Sequence, residues 1–257
     1  MLSRLLKPLA DRALEERELF FFVGMGRSGT MFVSKLLGKS CNLNSYHEGP
    51  GDRQAMVAAY WNQGEGRRYI AGYKKIVLMK RILGSKQKKY CECNSYLRYH
   101  VDILKKDLSA TIFHLVRDGR SVVRSIMHRN TFTAAESRHS GKLFPVPTDP
   151  YFEEWKDMDR FERVCWYWAH ANRYLLARDL TIIRLEDIVN SYSIFKEQVL
   201  SAIGINIPLK IWEFEVARPK NVGKRNKFPD WHAWSTSQRK QFRRICGPVM
   251  ERLNYDF

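Results

Sequence analysis

No part of this chain is apolar over the roughly 18–20 residues that a membrane-spanning helix needs, so no transmembrane segment is expected. Internal repeats, low-complexity tracts and Gly/Ser linkers are missing too, which leaves a single domain over residues 1–257 as the simplest organisation. Cysteines number only five, and the CxC of Cys91 and Cys93 has no second pair at zinc-like spacing. That argues against a zinc ribbon and a disulfide framework, and for buried free thiols in a reducing compartment. At the N-terminus, Arg4, Lys7 and Arg12 suit a targeting helix, but Glu15, Glu16 and Glu18 oppose it. An amphipathic helix in a cytoplasmic protein is the expectation. Acidic residues are also in short supply. The 27 Asp and Glu face 44 Lys and Arg, a net charge of +17, which predicts a polyanionic partner. No RNP sequence or zinc finger accompanies the surplus, so nucleic acid is not expected and a phosphorylated or sulfated ligand is.

What is present alternates between buried strand and helix. The run Leu19–Val23 is apolar throughout, as a strand buried on both faces of a parallel sheet should be. It ends in Gly24-Met25-Gly26-Arg27-Ser28-Gly29-Thr30, and residues 31–37 then carry helical periodicity up to Gly38. Residues 111–116 predict a second strand, Arg117-Asp118-Gly119-Arg120 a turn, and 121–128 a helix. A long helix is expected over about 159–178, a strand over 181–185 and a helix over 194–203 closed by Gly204. The trio Trp166-Tyr167-Trp168 reads as core, and so does His114 inside its strand. Residues 129–151 and 218–234 read as irregular loops. The alternation predicts an α/β fold, three layers with a central parallel sheet flanked by helices.

The glycine-rich turn admits three readings, all of which bring backbone amides and a helix N-terminus to an anion. Gly24, Gly26 and Gly29 fit a dinucleotide fingerprint, with Glu48 near the expected acidic position. Against it, the stretch before Glu48, residues 41–46, is mostly polar and reads poorly as a second strand. Gly24 to Gly29 also fits a Walker A spacing, but Thr30 and Met31 stand where Lys and Ser or Thr belong. A P-loop-type nucleotide kinase or phosphotransferase is therefore the alternative, as is a non-enzymatic polyanion-binding protein.

The third reading is a resemblance. Arg27-Ser28-Gly29-Thr30 resembles the 5'-phosphosulfate loop of sulfotransferases that use 3'-phosphoadenosine 5'-phosphosulfate (PAPS). Arg117 at a strand end, with Ser125 eight positions on, resembles the same family's 3'-phosphate motif. An arginine and a serine so placed can converge on one phosphate. Lys224-Arg225-Asn226-Lys227, followed by Asp230-Trp231, resembles its late basic loop, with Asn226 and Pro229 where the family has glycines. Arg184-Leu185-Glu186-Asp187 resembles a strand-end motif in which tyrosine stands at the position of Leu185.

The resemblance implies a P-loop-like fold and sulfuryl transfer from PAPS to a hydroxyl or amine, with adenosine 3',5'-bisphosphate as product and no metal. It implies that Arg27 and the backbone of Ser28, Gly29, Thr30 and Met31 hold the 5'-phosphate and stabilise developing charge. Arg117, Ser125, Lys224, Arg225 and Asn226 would hold the 3'-phosphate. For the general base, Glu48 is the first choice and His47 the second; His100 and His114 are poorer candidates. The acceptor is of small-molecule, glycan or peptide type, with residues 44–68 and 129–159 as its walls.

Overall fold

The computed structural model describes residues 2–133, 143–218 and 228–256. The chain opens with α1 (Leu2–Glu15) and β1 (Glu18–Gly24), followed by α2 (Thr30–Leu37) and β2 (Leu43–His47). Next come α3 (Asp52–Trp61), α4 (Gln63–Tyr69) and α5 (Lys75–Ile82), with a π-turn at Ile70–Lys74, and then β3 (Lys89–Cys93). A 3-10 segment at Ser95–His100 leads into α6 (Val101–Leu108), β4 (Thr111–Val116) and α7 (Gly119–Met127). The remainder is α8 (Arg160–Leu176), β5 (Thr181–Arg184), α9 (Leu185–Asn190), α10 (Tyr192–Phe195), α11 (Ser201–Ile203), α12 (Leu209–Val216) and α13 (Thr236–Arg252).

The five strands form one parallel sheet in the order β2-β3-β1-β4-β5. β1 lies at its centre, which is why Leu19–Val23 is apolar at every position: both faces are covered. Phe20 and Phe22 pack with Val33, Leu36 and Leu37 of α2 and with Phe195 and Leu200. Phe21 and Val23 point the other way, into Leu14 of α1, Leu78 and Ile82 of α5, and Leu104 of α6. Helices therefore cover both faces. A third apolar cluster joins α7, α8 and α13 around Trp166, Trp168, Trp234 and Phe242. α8 begins at a capping box, Asp159 with Glu162, and its span Arg160–Leu176 lies within the predicted 159–178.

Two strands were not legible beforehand. β2 is an edge strand with only Leu43 buried, so its polar residues are no obstacle to pairing. The objection that residues 41–46 make a poor strand is thus corrected. The dinucleotide reading fails instead on topology, because β3 sits between β1 and β2, whereas that fold pairs the first two strands directly. β3 carries Glu92, fully buried, within its short run. Its charge breaks the apolar pattern and is answered only by residues far away in sequence.

That answer is a buried network under the β2 and β3 ends. Lys74 Nζ donates to Asp52 Oδ1 at 3.0 Å and to Glu92 Oε1 at 2.6 Å, and all three side chains are solvent-inaccessible. Arg81 Nη1 donates to Glu92 Oε2 at 2.9 Å. Asn94 Nδ2 donates to both carboxylates, and Tyr69 and Tyr90 give one hydroxyl to each. Two cations thus face two carboxylates, and the carboxylate oxygens are hydrogen-bonded throughout, which makes a buried ionic cluster tolerable.

Candidate functional site

The carboxyl ends of parallel strands are where open α/β sheets bind ligands. Here the turns after β1, β2, β3 and β4 surround one cavity of about 430 Å³. Arg27, Gly29, Thr30 and Met31 line it from the glycine-rich turn, His47 and Glu48 from the end of β2, and Arg117 from the end of β4.

The turn after β1 has a defined shape. Gly24 lets β1 pass β4, since a Cβ there would lie 2.2 Å from the Leu115 carbonyl oxygen. Arg27 adopts φ +77° and Gly29 φ +95°. Gly29 is the N-cap of α2 and contributes no side-chain cap, so the first-turn amides of α2 face the cavity without a competing side chain. A Cβ on Gly29 would come 2.7 Å from Leu185 Cδ1, the leucine that opens α9. Gly29→Ala should cost about 1–2 kcal/mol from the left-handed backbone alone. Urea unfolding should place the variant below wild type by at least that much, and adding Leu185→Ala should recover the steric part but not the backbone part.

Ser28 is fully buried beneath the turn. Its amide donates to the Met25 carbonyl at 3.2 Å and its hydroxyl has no partner among the described residues. The turn itself engages that N–H. Arg27 Nε donates to Ser125 Oγ at 2.8 Å across 98 residues of sequence. Arg117 Nη1 donates back to the Arg27 carbonyl at 3.2 Å. Ser125 does not line the cavity and reaches it through Arg27. The turn leading into α7 is held from β5's side, where Glu186 accepts from the Asp118 amide at 3.0 Å and from the Tyr255 hydroxyl at 2.7 Å. This explains the Arg184–Asp187 resemblance in physical terms: Glu186 fixes the loop that carries Arg117.

The end of β2 carries the two base candidates to the same cavity. Thr30 Oγ1 and His47 Nε2 are hydrogen-bonded at 3.2 Å, and Ser95 Oγ donates to Glu48 Oε1 at 2.7 Å. Glu48 is a non-glycine at φ +41°, an uncommon conformation that the surroundings impose. Arg81 imposes it, donating from Nη2 to the Glu48 carbonyl at 2.8 Å while Nη1 holds Glu92. His100 and His114 are remote in chemistry. Both are buried with lowered pKa, to about 3 and about 4, by desolvation above all. His114 Nε2 pairs with Asn172 Oδ1 at 2.9 Å, as a core histidine should.

Several lining residues escaped the sequence reading. Arg53 and Met56 of α3 fall within the acceptor wall expected over 44–68, but Ser95, Tyr96 and Arg98 come from the 3-10 segment and Tyr167 from the aromatic trio. Nothing local marks them, since each belongs to a helical turn whose orientation depends on packing. Five arginines, Arg27, Arg53, Arg98, Arg117 and Arg129, line the cavity, with Glu48 the one carboxylate among the lining residues. Burial lowers the pKa of the Arg27 guanidinium, and repulsion from Arg129 and Arg117 lowers it further. An anion in the cavity would relieve that repulsion.

Lys224, Arg225 and Asn226 lie outside the described residues. The chain beyond them is anchored beside α7: the Phe228 amide donates to His128 Nε2 at 2.9 Å, and Asp230 caps the turn that carries Trp231. Among the described residues no helix is long and apolar enough to cross a membrane, and no group of three or more His, Cys, Asp or Glu is placed to hold a metal ion. No protein-family model matches this chain, and no curated protein matches it either.

Proposed function

We propose that this protein is a sulfotransferase that moves a sulfuryl group from PAPS to an acceptor hydroxyl or amine. The observation that carries this reading is the junction of Arg27, Ser125 and Arg117. The two motifs that resemble the family's phosphate-binding elements are 90 residues apart in sequence and joined by hydrogen bonds at one cavity. The strand, glycine-rich turn and helix of β1 and α2 support a P-loop-like reading of the fold. Where a kinase loop offers lysine, Thr30 and Met31 stand here, which favours an arginine-based site over one using lysine and magnesium.

PAPS supplies an activated sulfuryl group, so the protein's part is positioning, charge stabilisation and proton removal. Arg27 and the N-terminal amides of α2 are placed to hold the 5'-phosphate, and Arg27 can meet charge as it grows on the leaving oxygen. The hydroxyl of Thr30 adds a donor. Arg117 is placed for the 3'-phosphate, and Ser125 fixes Arg27 between the two. Glu48, oriented by Ser95, accepts the acceptor's proton as the new sulfur–oxygen or sulfur–nitrogen bond forms and the bond to the 5'-phosphate breaks.

Calorimetric titration with adenosine 3',5'-bisphosphate tests the reading, with ATP–Mg and NAD as controls. Binding of the bisphosphate alone is the expected result. Arg117→Ala should weaken it by about 10- to 100-fold, the worth of a charge-assisted contact. The melting temperature should stay close to wild type, because among the described residues the Arg117 side chain makes one hydrogen bond, to a carbonyl. Equal losses of affinity and stability would count against a binding role for Arg117, and binding of ATP–Mg instead would speak for the phosphotransferase reading.

A further inference from the structure

Two cations of this chain are buried in its interior among the described residues, Lys74 at 0% exposure and Arg98 at 1%. They are treated oppositely. Lys74 is answered by Asp52 and Glu92. Arg98 has no carboxylate partner among the described residues. Its Nη1 donates to the Ser95 carbonyl at 2.6 Å and its Nη2 to the Tyr167 hydroxyl at 2.8 Å, both neutral acceptors. The guanidinium lies against the rings of Tyr99 and Tyr167, at 5.0 and 5.3 Å, and its buried Nε has no hydrogen-bond partner. A buried charge without a counter-charge is costly, and burial is tolerated where the missing charge arrives with a ligand. Arg98 borders the cavity, so a ligand there can supply it.

The position of Arg98 says which ligand. Arg27 and Arg117 reach the cavity from the turns after β1 and β4. Arg98 reaches it from the turn after β3, on the other side of β1 in the sheet. It shares Ser95 with Glu48: the Ser95 hydroxyl donates to the Glu48 carboxylate while the Ser95 carbonyl accepts from Arg98. Arg53 stands on the same wall, its guanidinium 5.3 Å over the Tyr96 ring and donating to the Tyr96 hydroxyl from Nε and Nη2. Neither nitrogen is spent on an anion. The cavity that holds the base candidate is therefore also lined by two guanidinium groups that the phosphate-binding elements do not use.

We infer that the acceptor is itself anionic: beside the hydroxyl or amine presented to Glu48 it carries a carboxylate or sulfate group that Arg98 and Arg53 bind. This rests on the sulfotransferase reading for the word acceptor, but the anion site stands on the geometry alone. Guanidinium groups suit both anions, since their planar fork can donate two parallel hydrogen bonds. A neutral phenol or sugar would leave Arg98 uncompensated and should be a poor substrate.

The test is thermal unfolding of the full chain saturated with adenosine 3',5'-bisphosphate, titrated with sodium sulfate or sodium acetate against sodium chloride of equal ionic strength. Wild type should show a saturable rise of about 3 °C above the chloride control, as a site filled to about ten times its Kd would give. General salt stabilisation does not saturate and serves as the baseline. Arg98→Met should abolish the saturable part, and Arg53→Gln should weaken it about tenfold, which keeps the test alive if Arg98→Met does not fold. Arg117→Ala should retain it. Saturation by acetate alone identifies a carboxylated acceptor, and by sulfate alone a sulfated one. A saturable rise that vanishes with bisphosphate bound, or in Arg117→Ala only, overturns the inference and leaves the sulfotransferase reading intact. No rise above chloride overturns it as well. Failure of the bisphosphate to bind, with the sulfate effect still lost in Arg98→Met, sinks the transferase reading and leaves the anion site standing.

Discussion

Glu48→Gln should lower turnover by about 10²- to 10⁴-fold, the usual worth of a general base, while adenosine bisphosphate binds as before. Glutamine keeps the shape of the side chain, and its amide oxygen can still accept from Ser95 Oγ, so the wall of the cavity is preserved. What it loses is the capacity to take a proton. The bisphosphate should not notice, because the substitution leaves Arg27 and Arg117 and the hydrogen bonds that hold them unchanged. The measurement is release of adenosine bisphosphate from PAPS with a mixed panel of phenol, sugar and peptide acceptors, carboxylated and sulfated ones included, beside calorimetry with the product alone. His47→Asn is the comparison. His47 Nε2 is engaged with Thr30 Oγ1, so its loss should disturb the turn more than the proton transfer. Retained turnover in Glu48→Gln together with its loss in His47→Asn would assign the base to His47.

Lys74→Met should destabilise the protein by about 3–5 kcal/mol, the cost of breaking a buried ion pair from one side. The methionine fills the space, but Asp52 and Glu92 are left buried with Arg81 as their only cation in the network. The pH dependence provides a second readout. Burial pushes the Glu92 carboxyl upward, yet Lys74 and Arg81 more than offset this and hold it below its usual value. A carboxyl depressed in the folded state contributes stability above its unfolded pKa of about 4.3 and loses it as pH falls through the lower folded value. Wild type should therefore keep this contribution into mild acid. Without Lys74 the burial effect gains ground, the folded pKa of Glu92 rises, and acid unfolding should begin at higher pH. Urea midpoints between pH 3 and 7 check both effects. Equal slopes with pH in the two proteins would mean that Lys74 does not set the ionisation of Glu92. Arg81 holds both Glu92 and the Glu48 carbonyl, so the network also supports the φ +41° conformation of the base candidate.

Much of the fold was legible in the sequence, and the reasons for the remainder are physical. β1 and β4 are buried on both faces and read as continuous apolar runs, and α8 announces itself by periodicity and its Asp159 cap. β2 stayed hidden because an edge strand need not be apolar, and β3 because a charged glutamate, Glu92, interrupts its short run. The helix expected over 194–203 is present as α10, the π-turn at Lys196–Leu200 and α11, with Gly204 as its left-handed cap, whereas α9 was not foreseen.

The same division runs through the site. The sequence alone determined the glycine-rich turn and the strand-end arginine and serine eight residues apart, because each is a local spacing of residue types. Only the tertiary structure decided that Arg27 and Ser125 bond to each other, that Ser95 joins Glu48 to Arg98, and that Lys74 is neutralised while Arg98 is not. Hydrophobic periodicity and turn chemistry act between neighbours in the chain. Whether a buried charge finds its counter-charge depends on residues brought together from distant segments, and no local pattern records that.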